Sequence, residues 1–132
     1  MSIPAAIWNF SREVVRELFA QARQLLAPVY KIDFADQDSA TLVLTCSRRQ
    51  LVVNRRYHTV KSGSKVLAVF DAIKSIDITH RAAFDETPEC WTVDLKTGLL
   101  SGVRVGRTTD AVEASIVGAR LSTFTGKPVR AL

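Results

Sequence analysis

Apolar residues recur every three or four positions in the run PAAIWNFSREVVRELFAQARQLLAP, residues 4–28. Ile7, Val14, Val15, Leu18, Phe19, Ala22, Leu25 and Leu26 share one side, and Arg12, Glu13, Arg16, Glu17, Arg23 and Gln24 share the other. The spacing predicts an amphipathic helix, interrupted near 9–11, with Pro4 suited to its first turn and Pro28 blocking its continuation. After residue 28 the period drops to two, and short runs rich in β-branched and aromatic residues alternate with turn formers. This pattern predicts strands over 29–34, 40–46, 50–56, 65–70, 73–79, 90–96 and 102–107, broken by DQDS, SGS, DETPE and KTG. No helical pattern lies between these strands, so they read as antiparallel meanders and not as βαβ units. The helical period returns in TTDAVEASIVGARLSTFTGKP. There Val112, Ile116, Val117, Leu121 and Phe124 form a stripe, Asp110 and Glu113 a capping box, and Gly126 and Pro128 the stop.

The expected fold is therefore α+β and mainly β. An amphipathic helix at 1–28 precedes a β domain at 29–132, whose sheet or barrel is crossed by its last helix. A length of 132 residues, with 47% hydrophobic and 23% charged, suits one globular unit around one core. Charge then narrows the partners. Lysine and arginine outnumber aspartate and glutamate 18 to 13, and the pI near 9.6 favours phosphates, anionic lipid or an acidic protein face. Cys46 and Cys90 form no CxxC pair and lie in apolar runs, so both are expected to be buried free thiols. Charges from Arg12 onward interrupt any export signal, and no apolar run approaches the roughly 18–20 residues of a membrane span. The expectation is a soluble cytoplasmic chain, with peripheral attachment at the inner membrane face as the alternative.

Several segments of the second half occur in a recognisable order. AIKSIDIT is followed by the tryptophan-led strand WTVDL, the turn KTG, the strand GVRVGR and a helix running into STFTGKPV. This order, with Gly98, Gly106 and GKPV at 126–129, resembles bacterial pleckstrin-homology-like (PH-like) domains over about 39–129. The resemblance implies a strongly bent, seven-stranded antiparallel barrel or sandwich, plugged at one end by the C-terminal helix, and carries no catalytic signature. Members of that family often bear transmembrane helices beside the module, where this chain has an amphipathic segment. In eukaryotic relatives a basic loop between early strands receives inositol phosphate headgroups, through a lysine and arginine array that this sequence does not reproduce.

Candidate chemistry concentrates in the first half. Residues 39–70 contain no aspartate or glutamate but hold Arg48, Arg49, Arg55, Arg56, Lys61 and Lys65. In RRQLVVNRRYH, alternation places Arg49 and Arg55 on the face of Leu51 and Val53, and Arg48 and Arg56 on the other. Arg48 and Arg56 would stand roughly 26 Å apart, too far for one phosphate. The candidate anion or partner site is instead Arg55, Arg56, His58, Lys61 and Lys65 around the SGS turn, where guanidinium groups can grip oxyanions with paired donors. A second candidate surface is the N-terminal helix through Ile7, Trp8, Phe10, Val14 and Leu18. Glu13 and Glu17 offset Arg12 and Arg16 on its polar face, which favours protein contact or self-association over a membrane.

Other chemistry is thin. Asp77, His80, Asp85 and Glu86 have no spacing that would converge on one metal ion, and no nucleophile or phosphate-loop motif is present, so no enzyme, metal or cofactor is expected. Nucleic acid is disfavoured because Tyr57 alone accompanies the basic run, while Phe19, Phe34, Phe70, Phe84, Trp91 and Phe124 are assigned to the core. The leading expectation is a non-catalytic module binding a protein partner through its basic surface. The alternative is peripheral binding of anionic lipid headgroups by Arg55, Arg56, Lys61 and Lys65, with small-ligand or nucleic-acid binding behind it.

Overall fold

The computed structural model describes residues 30–132. The predicted helix at 4–28, with Ile7, Trp8, Phe10, Val14 and Leu18, lies outside the described residues. The remainder is mainly β, with two sheets and one helix. Strands β1 (Ile32–Asp38), β2 (Thr41–Cys46), β3 (Arg49–Asn54), β4 (Thr59–Ser62) and β5 (Lys65–Val69) form an antiparallel meander in that order. A 3-10 turn, Phe70–Ala72, leads to the second sheet of β6 (Ser75–Arg81), β7 (Cys90–Lys96) and β8 (Gly102–Thr108). Helix α1 (Ala111–Thr125) follows, and the chain ends in β9 (Val129–Ala131), which joins β6 in parallel to give the order β8-β7-β6-β9.

Alternation accounts for the first sheet. Leu42 and Leu44 on β2, Leu51 and Val53 on β3, and Val60 on β4 all point into one core, which Val93, Leu95 and Val105 enter from the second sheet. Helix α1 closes this core with Ala114, Val117, Leu121 and Phe124. Gly118 permits the close approach, since a Cβ there would lie 2.8 Å from Ile78 Cδ1. Val112 and Ile116, expected in the buried stripe, are 65% and 45% exposed because the helix turns its small residues, Ala114 and Gly118, toward the sheet instead. Phe84 is also outside the core, 82% exposed in the tight Phe84–Thr87 reversal after β6.

The helix start differs in a second respect. Asp110 Oδ1 accepts from Val112 N at 2.9 Å, as an N-cap should. Glu113 does not reach back to Asp110, whose N–H goes to Thr108 Oγ1; its Oε1 accepts from Ile32 N at 2.6 Å and ties the helix to β1. Gly126 ends the helix in the left-handed region at φ 72°, as the stop signal predicts.

One buried carboxylate fixes the C-terminal strand. Asp77 on β6 is 0% exposed and accepts Ser75 Oγ at 2.7 Å and both Arg130 Nε and Nη2, at 2.9 and 2.8 Å. The Arg130 hydrogen bond, opposed by burial and aided by Ser75, holds the Asp77 carboxyl below its ordinary range, and Asp77 in turn raises Arg130.

Candidate functional site

Backbone connections define two ends. At one, Phe70 N donates to the His58 carbonyl, Ile73 N to Phe70, Lys74 N to Lys96, and Ile76 N to Pro128. The β3–β4 turn, the 3-10 turn, the β7–β8 turn and the end of α1 therefore gather together; we call this the Leu99 end. At the other, Thr109 N donates to the Tyr30 carbonyl and Cys46 Sγ lies 3.8 Å from the Arg107 carbonyl, which unites the residues leading into β1, the β2–β3 turn and the end of β8. We call this the Tyr30 end.

The sequence-predicted cluster does not sit at one place. Arg55, Arg56 and His58 belong to the β3–β4 turn, whereas Lys65 opens β5 beyond the opposite end of β4, paired with Ser62. Strand β4, unrecognised in the sequence pattern, separates them by four residues or roughly 13 Å. Lys61 lies on β4 between the two groups, exposed. The SGS turn is thus no focus for the arginines. Two of the expected residues are also occupied structurally. Arg55 Nη2 donates to the Ser39 carbonyl, and its guanidinium lies over the Phe124 ring at 4.5 Å, joining the first sheet to α1. His58 has a left-handed backbone, φ 55°, and its ring stacks on Phe70 at 5.2 Å. Arg56 stands exposed in the same turn, its backbone N–H taken by Asn54 Oδ1.

What the fold brings to the same end as Arg56 was not anticipated. The β7–β8 turn is closed by Thr97 N and Gly98 N to the Ser101 carbonyl and by Thr97 Oγ1 to Ser101 Oγ, and it lifts Leu99 and Leu100 to its tip. They are 92% and 96% exposed. Lys74 and Lys96 flank this turn through their backbone hydrogen bond, Lys127 follows α1, and Tyr57 is exposed next to Arg56. Asp71 is the acidic residue of these turns; Asp38 ends β1, and its Oδ1 accepts Ala40 N. The Leu99 end therefore combines a basic rim with a protruding apolar pair.

The Tyr30 end holds a cleft of about 340 Å³ lined by Tyr30, Cys46, Ser47, Arg49, Arg104, Val105, Gly106 and Arg107. Arg49 Nη1 donates to the Arg104 carbonyl at 3.0 Å, Arg104 Nε to Asp94 at 2.8 Å, and Arg107 lies over Tyr30 at 5.8 Å. Arg48 stands exposed in the adjoining turn after Ser47, whose φ is 57°. Cys46 is half-buried here rather than buried as expected, Cys90 is buried, and both are free thiols.

Strand β6 and the segment after it divide their charges among separate partners: Asp77 holds Arg130, and His80 Nε2 lies 2.9 Å from Glu89 while its ring packs on Trp91. Among the described residues no group of three or more histidine, cysteine or acidic side chains could hold a metal ion. No protein-family model, curated protein or solved structure matches this chain.

Proposed function

We propose that this chain is a non-catalytic PH-like binding module whose Leu99 end docks on an anionic membrane surface. A sheet of early strands, a second sheet and a closing C-terminal helix support the PH-like reading, in the order that the resemblance implies. The observation that carries the docking is Leu99 and Leu100, more than nine-tenths exposed at a hairpin tip, at the end of the fold that also holds Arg56, Lys74, Lys96 and Lys127. An exposed apolar pair rimmed by cations matches a lipid interface. Burying two leucines is worth about 3 kcal/mol, and each basic residue near an anionic leaflet adds about 1 kcal/mol. Neither term alone gives stable attachment, but the two together do. The docking is peripheral: no helix among the described residues is long and apolar enough to cross a membrane. Within the predicted lipid set, Arg56 keeps its role, Arg55 is structural, and Lys61 and Lys65 lie outside the contact.

Co-sedimentation with phosphatidylcholine vesicles, with and without phosphatidylserine, tests the reading. Binding should require phosphatidylserine at low salt and weaken as salt rises. No binding at low salt overturns it. Recognition of a protein partner, or self-association, is the second reading, favoured by the exposed Val112 and Ile116 on the outer face of α1.

A further inference from the structure

The geometry points to a second, independent site: the cleft at the Tyr30 end binds a small organic phosphate monoester, with its anionic head on Arg49 and Arg107 and its apolar body over Val105 and Gly106. The construction begins with a register shift between β7 and β8, where Val93 pairs with Gly106 and Asp94 with Arg104, leaving Val105 as an extra residue. Strict alternation would send Arg104 and Arg107 to opposite faces. The bulge resets the phase and turns both toward the same cleft. Gly106 then lets β8 close on the first sheet, since a Cβ there would lie 2.8 Å from Cys46 Sγ and 3.0 Å from Ile32 Cγ1. That approach brings Arg49, at the start of β3, onto the β8 backbone.

Charge selects the ligand. Arg49, Arg104 and Arg107 contribute three positive charges, of which Asp94 neutralises one through Arg104. Two charges remain uncompensated, which matches a phosphate monoester carrying about −1.5 to −2 at neutral pH. Arg49 spends one of its donors on the Arg104 carbonyl and Arg107 rests against Tyr30, so both guanidinium groups are held in place with donors still free for paired oxyanion contacts. The volume of about 340 Å³ lies at the small end of the range for ligand pockets.

Phenyl phosphate is the probe, and Cys46 is the reporter. Cys46 lines the cleft and Cys90 is buried, so the reaction of the folded native protein with a thiol reagent reads Cys46. At roughly 10 mM probe, ten times a Kd of about 1 mM, the rate should fall about tenfold. Inorganic phosphate should protect less, because it leaves the apolar floor uncovered. Arg49→Gln/Arg107→Gln should lose the protection and Arg56→Gln should keep it. An unchanged Cys46 rate in the native protein overturns the proposal whether or not the double variant folds. So does protection that survives in a folded double variant, or protection by phosphatidylserine vesicles but not by phenyl phosphate.

Discussion

At the Leu99 end Arg56, Lys74 and Lys127 stand outside the strands and Lys96 ends β7, at the same end as two leucines that project into solvent, whereas at the Tyr30 end Arg49, Arg104 and Arg107 line one cleft and are held by a carbonyl, a carboxylate and an aromatic ring. Both ends are basic, yet they suit different ligands. Charges spread over several turns favour an extended anionic surface, and guanidinium groups held together in a cleft favour one compact oxyanion. Net charge alone, here +5, could not have separated them.

The strongest way to break this contrast is to remove the apolar pair. Leu99→Ser/Leu100→Ser should lower partition onto phosphatidylserine vesicles by roughly a hundredfold, from about 3 kcal/mol of lost burial. Thermal unfolding should stay unchanged, and so should phenyl phosphate protection of Cys46. Arg56→Gln/Lys74→Gln should follow with about a thirtyfold loss, at about 1 kcal/mol for each charge, and the loss should vanish at high salt. The two arginines of the β3–β4 turn should then separate in a urea titration. Arg55→Gln removes the Phe124 and Ser39 contacts and should cost about 1 kcal/mol of stability, while Arg56→Gln stays within about 0.5 kcal/mol of the parent.

The smallest effect at neutral pH comes from the buried pair that belongs to neither end. The folded-state pKa of Asp77 is depressed, chiefly by the Arg130 hydrogen bond, so its contribution is present above the unfolded carboxyl value near 3.9 and is lost as pH falls through the lower folded value. The unfolding midpoint should hold constant from neutrality to about pH 5 and decline below about pH 4. In Arg130→Gln the part of that acid dependence due to the pair should be reduced, as a pH series of thermal melts would show.

Much of the frame was legible in the sequence, and the reasons differ by element. Strands β2, β3, β7 and β8 and helix α1 carry sustained periods that burial enforces, so their places and approximate limits followed from spacing. Strand β4 did not, because its four residues, Thr59–Ser62, are too few to show a period. Strand β9 follows a proline and buries none of its three residues; the Asp77–Arg130 pair that holds it joins residues 53 positions apart. The basic cluster was placed around the wrong turn for the same reason that β4 was missed. The arginine cleft was hidden by the β8 bulge, since alternation separates Arg104 from Arg107 and only the observed register reunites them. Leu99 and Leu100 fall between the predicted turn KTG and the predicted strand at 102–107, where no period marks them. Their exposure follows from the Thr97–Ser101 closure that lifts them away from the core.

The central claim is that one end meets the membrane and the other does not, and it can be read residue by residue on the unmodified protein. Amide spectra recorded with phosphatidylserine nanodiscs carrying a gadolinium-chelating lipid should show strong broadening at Arg56, Leu99 and Leu100. Ser47, Arg48 and Gly106 should remain sharp. Broadening centred on the Tyr30 end, or none at the Leu99 end, would contradict the account.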